Sequence, residues 1–69
     1  MRYELIIKPR DGGFCAICPL IPGLLATGAT PGATLDAAFA ELTAWLAQRG
    51  EPPPTWQEIR AVLAGARRT

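Results

Sequence analysis

A chain of 69 residues makes a single domain, residues 1–69, with a thin core, since a body this small buries only about 60% of the surface its unfolded form exposes. Hydrophobic residues make up 49% of it and charged residues 19%, and a net charge of +1 supplies no field that would gather a phosphate backbone or an anionic membrane surface. Nucleic acid is therefore not expected as a partner, while so much apolar surface on so small a body points to self-association or to a protein partner. No stretch approaches the roughly 20 apolar residues that span a bilayer, and the opening MRYELIIKPR has no long apolar run. The expectation is a soluble, cytoplasmic protein with no membrane attachment.

From Arg2 to Lys8 the chain alternates, with Tyr3, Leu5 and Ile7 on one face of a strand and Glu4, Ile6 and Lys8 on the other. Pro9, Arg10, Asp11, Gly12 and Gly13 form a turn cluster, which reads as a hairpin loop. Phe14 to Cys18 resumes as a strand, and a loop with an even number of residues places Phe14, Ala16 and Cys18 beside Tyr3, Leu5 and Ile7. Pro19-Leu20-Ile21-Pro22-Gly23 then turns the chain, because two prolines without donors cannot serve a central ladder. Leu24 to Thr27 is a short third strand ended by Gly28.

Thr30 to Gly50 reads as one amphipathic helix. Thr30 is the cap and Pro31 occupies the first turn, where a missing donor is harmless. Leu35, Ala38, Phe39, Leu42, Trp45 and Leu46 recur at three- and four-residue intervals, and Gly50 with Pro52, Pro53 and Pro54 ends the helix. Thr55-Trp56-Gln57-Glu58 matches a capping box, so a second, short helix is expected from Trp56, with Ile59, Val62, Leu63 and Ala66 on its apolar side. The fold class expected is α+β, a three-stranded antiparallel sheet with one long helix packed on a face and a short C-terminal helix, in the order β-β-β-α-α.

Residues that carry chemistry are sparse. Cys15-Ala16-Ile17-Cys18 is a CxxC, but within a strand positions three apart point to opposite faces, and the chain has no histidine and no third cysteine. Two ordinary half-buried thiols are expected, with no disulfide and no metal. The carboxylates Glu4, Asp11, Asp36, Glu41, Glu51 and Glu58 are spread one to an element, so no acid-base pair stands out, and no phosphate-binding glycine loop is present. Neither catalysis nor a cofactor is expected. Trp45 and Trp56 are each large enough to be core or an interface anchor. Arg49, Arg60, Arg67 and Arg68 read as solvated helix ends, with a local basic patch as the alternative.

The segment Phe14-x-Ala16-x-Cys18-Pro19-x-x-Pro22-Gly23, followed by Gly28-x-Thr30 and a long helix, resembles the N-terminal domain of the HicB-like antitoxins. The resemblance covers residues 1–50. It implies a partial ribonuclease-H-like fold without ribonuclease catalytic residues, in a protein that binds and inhibits a small HicA-like mRNA-cleaving toxin. Leu20, Gly32 and Ala33 stand where that family usually carries acidic residues. Longer members add a C-terminal DNA-binding domain; Glu51 to Thr69 is too short for one, so operator binding by this chain alone is not expected.

One long helix covers one face of a three-stranded sheet. The opposite face then carries Ile6, Cys15, Ile17 and Leu25, an apolar set on a side that antiparallel sheets normally leave polar. With Trp56, these are the residues expected at an oligomer or partner interface, in a dimer or tetramer or against a toxin. Two other functions compete with the antitoxin reading: a stand-alone oligomeric scaffold or regulator with no toxin, and an RNA-binding module using the arginine-rich end.

Overall fold

The structure, a computed structural model, describes residues 2–64. Strands β1 (Tyr3–Arg10), β2 (Gly13–Ile17) and β3 (Leu25–Gly28) form an antiparallel meander. Helix α1 (Pro31–Gln48) follows, then a 3-10 turn at Trp56–Glu58 and a last strand, β4 (Ile59–Leu63). The sheet order is β3-β2-β1-β4, and β4 runs parallel to β1, with Tyr3 opposite Ile59 and Ile7 opposite Leu63. The class is α+β, with a four-stranded mixed sheet and a single α-helix among the described residues.

The first hairpin is closed by two residues, Asp11 and Gly12, at φ 44° and 82°. Both being left-handed gives a turn whose twist matches that of the flanking strands. The even loop fixes the register as the alternation requires, pairing Ile7 with Ala16 and Ile6 with Ile17. Pro9 lies within β1 without breaking it. Ile7 accepts from Ala64 N–H on the β4 side, so two residues on the nitrogen of Pro9 faces the same side, beyond the end of β4, where no donor is called for.

Two consecutive turns make the connection from β2 to β3. Ile21 N–H donates to the Cys18 carbonyl at 2.9 Å and Leu24 N–H to the Ile21 carbonyl at 3.2 Å, while Gly23 at φ 91° takes the conformation that a proline-glycine turn demands.

Helix α1 begins and ends on local signals. The Thr30 hydroxyl accepts from Ala33 N–H at 3.1 Å, and Pro31 stands in the first turn. At the other end Glu51 N–H reaches the Leu46 carbonyl at 2.9 Å and Gly50 N–H the Ala47 carbonyl at 3.1 Å, with Gly50 at φ 74°. These are the paired bonds of a Schellman motif, which satisfy carbonyls that the helix leaves open.

The core lies between α1 and one face of the sheet. Tyr3, Leu5 and Ile7 from β1, Ala16 from β2, Ala26 from β3 and Ala38, Leu42 and Leu46 from α1 fill it, with Cys18, Ile21 and Leu24 from the double turn closing one end. Thr34, on the same face of the helix, is fully buried (0%) and donates its hydroxyl to the Thr30 carbonyl at 2.7 Å. Its neighbour is Gly28. A Cβ there would stand 2.7 Å from both the backbone nitrogen and the hydroxyl of Thr34, so the absent side chain is what lets α1 approach β3.

The sheet departs from the sequence expectation at its fourth strand. The capping box forms, with Thr55 N–H donating to Glu58 Oε1 at 2.9 Å, but it opens one 3-10 turn and not a helix. Ile59 to Leu63 instead pairs with β1, which would otherwise be an open edge. A helix of about a dozen residues is marginal in water and a strand beside β1 gains a full ladder, so the non-local pairing wins. The three-stranded antiparallel sheet and the short C-terminal helix are corrected accordingly. The stiff segment Pro52 to Pro54 carries the chain from the end of α1 back to the start of β1, with Pro54 buried on the way. Ala66, Arg67 and Arg68 lie outside the described residues.

Candidate functional site

Alternation along the strands sends Glu4, Ile6 and Lys8 of β1 away from α1, and the register lines their neighbours up beside them. Leu25 pairs with Ile17, Ile17 with Ile6, and Ile6 with Val62. Four aliphatic side chains thus form one straight row across all four strands on the face that the helix leaves open. Ile6, Ile17 and Val62 are half-buried by one another, and Leu25, at the β3 edge, is 48% exposed. Below the row Glu4 pairs with Arg60, and above it Cys15 stands between Lys8 and Thr27.

The expected interface residues divide on this geometry. Ile6, Ile17 and Leu25 come together in the row, and Cys15 adjoins it, although its own side chain is 2% exposed beneath its neighbours. Trp56 is elsewhere, on the helix side, stacked on Phe39 with its outer edge in solvent. Val62 completes the row; its spacing also fits a helix face, and only the pairing of β4 with β1 reveals its place.

A second exposed apolar feature stands at the end of the sheet where β1 begins. Leu20, at the tip of the double turn, is 61% exposed, more than any other large hydrophobic residue among those described. It borders a cleft of about 220 Å³ that it shares with Tyr3, Ile21, Trp45, Leu46 and the pair Arg49 and Glu51. The Arg49 guanidinium lies 4.7 Å from the centre of the Trp45 ring, and its Nε stands 3.5 Å from Glu51 Oε2. An apolar pocket is thereby rimmed by both signs of charge. The signal for it in the sequence is a leucine between the two prolines of Pro19-x-x-Pro22-Gly23, a position where turn chemistry asks for nothing apolar.

Cys15 and Cys18 are both free and buried, on opposite faces of the sheet. Among the described residues no group of three or more histidines, cysteines and carboxylates is placed to hold a metal ion, and no helix is long and apolar enough to cross a membrane. Comparison with protein-family models, with curated proteins and with solved structures gives no match.

Proposed function

We propose that this chain is an antitoxin-like subunit that binds and inhibits a small HicA-like mRNA-cleaving toxin, acting by occlusion and without chemistry of its own. The observation that carries the reading is the double turn, at whose tip Leu20 replaces the acidic residue usual in the family it resembles. The segment on which the resemblance to HicB-like antitoxins rests, Cys18-Pro19-x-x-Pro22-Gly23, forms the double turn, and the core uses Cys18 and Ile21 while leaving Leu20 outside it. Prolines and two turn hydrogen bonds hold that leucine in place before any partner arrives, so little ordering entropy is lost on binding. An exposed apolar anchor beside a pocket rimmed by Arg49 and Glu51 suits the centre of a protein interface.

The test begins with whether a HicA-like protein is encoded beside the chain, its absence favouring the second reading, and then produces the two together. An equimolar amount should abolish RNA cleavage by that protein, and Leu20→Asp should weaken the inhibition at least about tenfold while leaving the circular dichroism spectrum unchanged. Cleavage that continues in the presence of a large excess of the chain rejects the reading. A stand-alone oligomer with no toxin is the second reading, favoured by the apolar row on the open sheet face. RNA binding by the chain itself, salt-dependent in a filter assay, would favour the third.

A further inference from the structure

The open face of the sheet is apolar along its middle row and charged on either side of it, and the charges are not placed at random. On β1, Glu4 and Lys8 each stand two residues from Ile6, about 6.6 Å along the strand in opposite directions, and both are exposed. We propose that a second copy of this chain covers this face, related by a two-fold axis that runs along the row Leu25, Ile17, Ile6, Val62. Such an axis lays each residue of the row on its own counterpart and turns one end of β1 onto the other. Glu4 then faces the partner's Lys8, and Lys8 the partner's Glu4. Arg60, at the β4 corner, faces the partner's Ala64 at the rim and stays in water.

The alternative two-fold, along the strands, is disfavoured by the same charges. It sets Lys8 over Cys15 and Glu4 over the Pro19 end of β2, leaving both charges against groups that cannot answer them. Aligned sheets pack about 10 Å apart, a distance that glutamate and lysine side chains span together while aliphatic side chains interdigitate between them. An isologous contact of this kind uses each patch twice, so one sequence feature yields two ion pairs. Four strands at about 4.8 Å and five residues at about 3.3 Å give a face on the order of 300 Å² in projection, which is small for a specific interface. The association is therefore concentration-dependent, and at Glu4 it adjoins a pocket that Leu20, Pro19 and Arg60 also line.

Sedimentation equilibrium over a wide range of concentration tests the proposal on the intact chain. The expected result is a reversible shift from 7.4 kDa to twice that mass. Glu4→Lys and Lys8→Glu, both at exposed positions, should each weaken the dimer roughly tenfold, because each puts like charges together twice, and the double exchange Glu4→Lys with Lys8→Glu should restore it. Ile17→Glu should abolish the dimer; should that variant fail to fold, the charge exchanges still decide. A species that stays at 7.4 kDa at the highest concentration, or a dimer whose dissociation constant the single reversals leave unmoved, overturns the proposal.

Discussion

The indole of Trp56 lies flat against the ring of Phe39, centroids 4.1 Å apart and planes 12° from parallel, and this contact ties the turn before β4 to the middle of α1. Both rings sit on the helix side of the sheet, so the stack holds the last strand from the direction opposite to the open face. Its edge in water makes Trp56 a fastening and only in part a core residue.

Trp56→Ala and Phe39→Ala should each destabilise the fold by about 1–3 kcal/mol, and the double variant by less than the sum, with a coupling of about 1 kcal/mol. A double-mutant cycle by urea denaturation measures it. Strict additivity would show that the rings touch without fastening anything.

Two glycines close together in sequence should respond in opposite directions to the same methyl group. Gly28→Ala forces a Cβ to within 2.7 Å of the Thr34 backbone and should cost about 1–3 kcal/mol, whereas Gly32, in the first turn of α1, has nothing within 4 Å of the same position. Gly32→Ala should stabilise by about 0.4–1 kcal/mol through a less flexible unfolded chain. Denaturant midpoints of the two variants on either side of the unmodified protein are the expected outcome.

Proline should discriminate the two sides of β4. Ala64 N–H donates to the Ile7 carbonyl at 2.8 Å, so by the strand period the N–H of Val62 also faces β1 and that of Ala61 faces away. Val62→Pro leaves a carbonyl of β1 unanswered and should cost about 1–3 kcal/mol beyond any effect of Ala61→Pro. Amide hydrogen exchange should show the same asymmetry, with the Val62 amide protected and the Ala61 amide open.

The Thr55 backbone N–H, donating to Glu58 Oε1, holds the carboxyl of Glu58 below its ordinary value. A depressed folded value means that the contribution to stability is in place above the unfolded carboxylate value of about 4.3 and is lost as pH falls through the folded one. Glu58→Gln should therefore lose stability relative to the unmodified protein near neutral pH and converge with it in acid. A titration of the Glu58 side-chain carbon by NMR with a midpoint at or above the ordinary glutamate range would contradict this.

What could be read in the sequence was whatever short-range chemistry decides. Thr30, Pro31 and Gly50 set the ends of α1 through contacts within five residues, and Asp11-Gly12 sets the first hairpin, so these elements stand where their residues place them. The open-face residues Ile6, Ile17 and Leu25 followed from alternation alone. The last strand did not, because Ile59, Val62 and Leu63 also fit a helical stripe and their partner in the sheet is the first strand of the chain. Thr34 carries no apolar signal, and it packs as core because its hydroxyl is satisfied inside its own helix. The exposure of Leu20 is not legible, since the tip of a double turn has no periodic signature.

The pairing of β1 with β4 gives the nascent chain a period of exposure. β1 is synthesised before the other strands of this sheet, and its second edge has no neighbour until Ile59 to Leu63 have been made. At about 5–20 residues per second that interval lasts several seconds. An unpaired edge of this kind recruits strands from other chains, and Lys8, Pro9 and Arg10 at its far end are the residue types that discourage such pairing. The finished sheet moves this open edge from β1 to β4, and slowing translation between α1 and β4 should raise the insoluble fraction without any change in the stability of the finished fold.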